Sequence, residues 1–84
     1  LDSTYIKHYQ KRISSNINLS RKTTERIKLF REDPRHPLLK DHGLTGTSFR
    51  HRGFWITGDI GIIYERVGKA EVLFLDIGSH NQVY

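Results

Sequence analysis

The chain has 84 residues, with 14 Lys and Arg against 9 Asp and Glu for a formal net charge of +5, and 36% hydrophobic content. That length allows one domain with a modest core, and the absence of cysteine excludes a disulfide framework, thiolate chemistry and a cysteine zinc site. No apolar run approaches the roughly 18 residues of a spanning helix and no signal-peptide pattern opens the chain, so a cytoplasmic protein with no membrane partner is expected.

The start at Leu1-Asp2 without a methionine predicts that residues before it, including part of a first strand, are missing, and 1–84 reads as a single domain. Charge divides that domain in two. Residues 1–40 hold ten Lys and Arg against four acids, and residues 41–84 hold four against five. All seven glycines lie between Gly43 and Gly78, and both prolines, Pro34 and Pro37, stand at the join.

Ser3 is placed to cap a first helix, in which Ile6, Tyr9 and Ile13 recur at helical spacing while Lys7, Lys11 and Arg12 project elsewhere. Asn16 and Asn18 interrupt it. Ser20 then caps a second helix running to about Phe30 or Arg31, with Ile27 and Phe30 as its seam and Pro34 as its stop. From Leu44 the period changes to two. Phe49, His51, Gly53 and Trp55 alternate with Arg50, Arg52, Phe54 and Ile56, and Ile60, Ile62 and Tyr64 form the apolar side of the next strand. Turns at Gly58 and Gly68 predict an antiparallel meander that ends in a buried strand over 71–77. The fold class is α+β, with two N-terminal helices packed on one face of a small twisted antiparallel sheet. The other face is left for a ligand, with Arg50, Arg52, Asp59 and Gly61 converging on it and Trp55 packed in the core.

The last strand empties through Gly78 onto His80, with Tyr84 four residues further on. A histidine at the end of a buried strand in a basic chain suggests acid/base chemistry on an anionic substrate, and RNA is the first candidate. Cleaving RNA without metal needs a base for the 2′-hydroxyl proton, an acid for the leaving 5′ oxygen and a cation for the phosphate. His80 and His42 are candidates for acid and base, and Asp59 for base or orienting group. Arg50 and Arg52 share a strand parity suited to gripping a phosphate, and Tyr84 can stack or donate a hydrogen bond. Each also has a plainer reading, as a turn histidine, a loop histidine, a turn aspartate, an exposed strand face paired with acids, and a terminal aromatic that only packs. The five histidines show no i, i+4 pair and no carboxylate cluster at ligand spacing, so no metal or cofactor is expected.

Taken together, two basic helices, His36-Pro37-Leu38-Leu39, His42-Gly43-Leu44-Thr45-Gly46, Phe49-Arg50, Ile56-Thr57-Gly58-Asp59-Ile60 with Ile62-Ile63-Tyr64, and Asp76-Ile77-Gly78-Ser79-His80-Asn81-Gln82-Val83-Tyr84 resemble the RelE/ParE superfamily of bacterial toxins, and within it the YafQ-like branch. The resemblance implies a RelE-like fold and the toxin of a type II toxin–antitoxin pair, a metal-independent endoribonuclease that cuts mRNA in the ribosomal A site. It also implies functional roles for His42, Asp59, His80 and Tyr84. The partners it implies are a cognate antitoxin, mRNA and ribosomal RNA. Lys7, Lys11, Lys22, Lys28, Lys40 and Arg52 are the candidates for contacting RNA phosphates.

The chain departs from the family pattern at three places. Trp55 stands where YafQ-like toxins carry a histidine, Asp76 where they carry an arginine, and Gly61 in the strand where RelE carries an arginine. Arg50 is then the expected cation for the phosphate, with Gly61→Arg expected to restore a RelE-like side chain. The alternative is a binding toxin without nuclease activity, either a ParE-like gyrase inhibitor or a degenerate toxin that only binds its antitoxin.

Overall fold

The computed structural model describes residues 2–44 and 51–83. Helix α1 spans Ser3–Arg12 and α2 spans Ile17–Glu32; a single 3-10 turn covers Pro37–Leu39. Strands β1 (His42–Gly43), β2 (His51–Trp55), β3 (Ile60–Arg66) and β4 (Val72–Ser79) follow, and a short helix α3 (His80–Val83) closes the described chain. The strands pair antiparallel in the order β1-β2-β3-β4, so the predicted α+β meander is present, with β1 as a short strand inside the expected loop. The last strand runs two residues beyond the predicted end, which carries Gly78 and Ser79 into the sheet.

Both helix caps differ from those expected. Asp2, not Ser3, caps α1, its carboxylate accepting the Thr4 N–H at 2.8 Å. Asn16, expected to break the helix, caps α2 instead by accepting the Leu19 N–H at 3.0 Å. Ser20 lies inside α2, where its hydroxyl meets the Tyr9 hydroxyl at 2.8 Å and ties the two helices together. The Asp2 N–H donates to the Phe74 carbonyl at 3.1 Å, which fixes the start of α1 on β4.

The core is an aromatic cluster between α2 and the sheet. Phe30 stacks on Phe54 with ring centroids 4.4 Å apart and meets Tyr64 edge-on at 4.8 Å, while Tyr5 of α1 packs on Phe74 at 5.4 Å. Ile13, Leu39, Ile56, Ile62 and Ile77 are buried around these rings. Register explains the near-continuous apolar run of β4. Ile63 pairs with Asp76 but Tyr64 pairs with Phe74, so a bulge absorbs Leu75 and lets both Phe74 and Ile77 face the core.

At the rim of that core, Asp41 gathers Arg52 and Tyr64. One carboxylate oxygen accepts Arg52 Nε at 2.8 Å and also its Nη2, and the other accepts the Tyr64 hydroxyl. Burial pushes the Tyr64 phenol up to about 12, helped by its bond to Asp41, and burial pushes Tyr5 up to about 12 as well. Among the described residues no helix is long and apolar enough to cross a membrane.

Two outcomes are expected from this packing. Phe30→Ala empties the centre of the aromatic cluster and should destabilise the chain by about 3–5 kcal/mol, a large share of the stability of so small a domain; denaturant unfolding followed by circular dichroism measures it. The raised phenols mean that the folded chain holds the Tyr5 and Tyr64 protons more tightly than the unfolded chain. Their contribution is complete below pH 10 and is lost as pH rises toward 12. The thermal midpoint should therefore fall across that window, and less steeply in Tyr64→Phe.

Candidate active site

The stacking of Phe54 on Phe30 decides which side of β2 is buried. Phe54 and Ile56 are 0% and 1% exposed. By strand alternation Arg52 shares their face, and His51, Gly53 and Trp55 take the face opposite the helices. Trp55 is therefore half-buried on the open face instead of packed in the core, a correction to its expected place. Its cross-strand partner is Gly61, whose own partner on β4 is Gly78. The indole lies across Gly61: a Cβ there would stand 3.2 Å from Trp55 Cε3 and 3.2 Å from the Phe54 carbonyl oxygen.

Two imidazoles lie nearly parallel to that indole. His42, from β1, has its ring centroid 6.1 Å from that of Trp55 with 15° between the planes, and His80, from the start of α3, lies at 6.0 Å and 16°. The separations fall within the range of favourable aromatic contact. His42 Nδ1 donates to the Lys40 carbonyl at 2.9 Å, so in the neutral ring Nε2 carries the lone pair. Lys40 adopts a left-handed conformation with φ 48°, and this turn of the backbone aims its carbonyl at His42.

Asp59 stands at the same end of the sheet, in the hairpin between β2 and β3. The Thr57 hydroxyl accepts the N–H groups of Asp59 and Ile60 at 3.1 and 3.0 Å, which fixes the turn. The Asp59 carboxylate accepts the His80 backbone N–H at 3.4 Å. Gln82 Oε1 accepts the Ser79 N–H at 2.7 Å and orders the departure of the chain from β4. His42, Asp59 and His80, chosen from the sequence, thus meet at one end of the open face around Trp55.

The cationic candidates divide. Lys22 and Lys40 line a groove of about 300 Å³ together with Arg26, Trp55, Thr57 and Gly58, so these two lysines share a groove with the indole that the histidines flank. Lys7, Lys11 and Lys28 are exposed on the helices. Arg52 does not face the ligand side, as expected from its strand; it points to the helix side, paired with Asp41 and Tyr64, where it lines a separate cleft with Arg35 and Arg66. Arg50 and Tyr84 lie outside the described residues. Among the described residues no three His, Cys, Asp or Glu side chains group as metal ligands. Sequence reasoning missed Trp55 as a member of the site, because Phe54 and Ile56 on the opposite parity are as apolar as Phe49 and Trp55 and alternation alone does not choose between them.

Two helices followed by a four-stranded antiparallel meander, with a histidine released at the end of the last strand, define a RelE-like α+β toxin fold. The family described as the bacterial toxin of type II toxin–antitoxin systems, YafQ, matches residues 1–84, and the chain belongs to it. A copper-bound mutant toxin from Helicobacter pylori superposes with a TM-score of 0.72 at 25% identity, over 99% of this chain and 93% of that one. The E. coli DinJ–YafQ complex gives a TM-score of 0.73 at 20% identity, over 99% and 92%. A conserved hypothetical protein from H. pylori, solved in solution, gives 0.61 at 23%, over 99% and 93%. No curated protein matches the chain.

The place of Trp55 bears on the expectation for Gly61. An arginine there would start 3.2 Å from the indole and from a backbone oxygen, so the indole would have to give way by a few tenths of an ångström to admit it. Gly61→Ala should destabilise the chain by roughly 1–3 kcal/mol through overpacking and alter the near-ultraviolet circular dichroism of Trp55, the sole tryptophan. An unchanged tryptophan band would show that the indole does not rest on Gly61.

Proposed function

We propose that this toxin is a metal-independent endoribonuclease that cleaves mRNA in the ribosomal A site. The observation that carries the reading is the pair of imidazoles held against one indole beside a basic groove. Since each imidazole centroid lies about 6 Å from that of the indole, the two rings are at most about 12 Å apart. A phosphodiester that bridges them needs one hydrogen bond of about 2.6–3.2 Å to each of the attacking and leaving oxygens, a span within that upper limit.

In this mechanism His42 Nε2 takes the proton of the ribose 2′-hydroxyl as its oxygen bonds to phosphorus. The bond from phosphorus to the 5′ oxygen breaks, and His80 gives that oxygen a proton. The products are a 2′,3′-cyclic phosphate and a 5′-hydroxyl. Asp59 holds the backbone of His80 in place. Lys22 and Lys40 hold the RNA backbone through the groove, and Lys7, Lys11 and Lys28 supply phosphate contacts to ribosomal RNA from the helices. Tyr84 keeps the role that the resemblance implies, and Arg50 stays a candidate cation for the phosphate because the chain lacks the family's arginines. The antitoxin partner is inferred from the E. coli relative, seen in complex with DinJ.

One observation favours the second reading, a toxin that binds without cleaving: Arg52, expected to grip the phosphate, is engaged by Asp41. Mapping the 5′ ends of mRNA after induction, with analysis of the end groups, separates the two. New 5′-hydroxyl ends are expected, and His80→Ala should lower cleavage by about 10²-fold or more with little loss of stability. Intact mRNA in growth-arrested cells would instead establish the binding toxin.

A further inference from the structure

Arg12, in the last turn of α1, reaches over β4 to the open face of the sheet. Its Nη1 donates to the Ile77 carbonyl at 2.9 Å and lies 3.5 Å from Asp76 Oδ1. A Cβ at Gly78 would come within 2.6 Å of this nitrogen, so the guanidinium fills the place of the missing side chain. Gly78 pairs with Gly61, where the Trp55 indole fills the corresponding place on β3. Cβ positions of cross-strand partners are about 4.5–5.5 Å apart, which puts Arg12 Nη1 within about 11 Å of the indole edge. His80 follows Gly78 by two residues, with its ring against the same indole.

Three features make this guanidinium available to a substrate. Both contacts are made by Nη1, so the donors of Nε and Nη2 are uncommitted among the described residues. Its carboxylate partner is shared, since His8 Nδ1 lies 2.5 Å from the same Asp76 oxygen, so Asp76 does not serve Arg12 alone. The side chain is 21% exposed, held in position yet open to solvent. Arg52, by contrast, is turned to the other face.

We propose that Arg12 is a further catalytic residue, a cation that, beside Arg50, meets the negative charge developing on the non-bridging oxygens of the scissile phosphate as the 2′ oxygen attacks. This rests on the nuclease reading above. Asp76 and the Ile77 carbonyl hold the guanidinium beside the reacting group, and Gly78 leaves the space that it occupies. Arg12 is thus a cation delivered to this face by a helix, across the edge of the sheet.

The test compares the full chain with Arg12→Gln, Arg12→Lys and Gly78→Ala on a reporter mRNA bound to ribosomes. It follows single-turnover cleavage, co-sedimentation with ribosomes and thermal unfolding. Arg12→Gln should lose about 10²-fold or more in rate while still co-sedimenting, and Arg12→Lys should recover part of that loss. Gly78→Ala displaces the flexible guanidinium while leaving the positive charge on α1, but its methyl also meets the Gln82 side chain that orders the chain before His80, so Gln82→Ala is measured beside it. Gly78→Ala should lose about tenfold more in rate than Gln82→Ala. Parental cleavage in Arg12→Gln, or a loss in Gly78→Ala no greater than that in Gln82→Ala, would overturn the assignment, and the second comparison decides if Arg12→Gln does not fold. Failure of the parent itself to cut is a different outcome: it overturns the nuclease reading and the role of Arg12 with it.

Discussion

Phe30 lies flat on Phe54, and that one contact settles the parity of β2. Once Phe54 is turned toward α2, alternation sends Arg52 and Ile56 to the helix side and His51, Gly53 and Trp55 to the other. The antiparallel register then carries the choice across the sheet, setting Gly61 beneath the indole and Gly78 beside it. His42 and His80 come from opposite edges of the sheet, β1 and the end of β4, and the indole is the surface that both rings share. The site thus depends on an aromatic contact made on the far side of the sheet.

Two aspartates organise the charges that the basic half of the chain brings in. Asp41 binds Arg52 and the Tyr64 hydroxyl at the helix-side rim. Asp76 binds His8 and Arg12 and is also capped by the Ile77 N–H at 2.8 Å. Each carboxylate is mostly covered, so each needs these partners to offset its desolvation. The two pairs divide the arginines by face: Arg52 is fixed on the core side, and Arg12 on the side of the histidines.

Helical periodicity made both helices legible, and Gly58 and Gly68 marked the hairpins, because these signals are local. Ile6, expected on the seam of α1 with Tyr9 and Ile13, is nevertheless 44% exposed, and Tyr5 takes the buried place against Phe74. What escaped was the parity of β2. Phe49 and Trp55 on one parity and Phe54 and Ile56 on the other are equally apolar, so alternation alone gives no sign of which set is buried; a contact with α2, far away in sequence, breaks the tie. The caps were missed for a related reason. Asp2 and Ser3, or Asn16 and Ser20, are all competent caps, and the choice follows from where β4 and Tyr9 hold the helices. His42, Asp59 and His80 were found because a histidine or an aspartate at a turn beside a strand end carries its own chemical signature. Arg12 carried none, since one arginine among many on a basic helix is distinguished only by the strand it reaches.

The fit of the indole over Gly61 also constrains the order in which this surface could have been assembled. A tryptophan at position 55 lies flat with least strain when the residue opposite has no side chain, because even one Cβ would stand 3.2 Å from the ring and push it by a few tenths of an ångström. Glycine at 61 is tolerable beside a smaller neighbour, whereas tryptophan at 55 beside a bulky one is not. Loss of a bulky side chain at 61 is therefore expected before gain of the indole, and once both are in place position 61 cannot regain a bulky side chain alone, whereas position 55 can still revert. The indole thus locks the glycine for as long as it stays, and toxins of this branch should be found with glycine and a small residue, or with glycine and tryptophan, but not with tryptophan facing a large side chain.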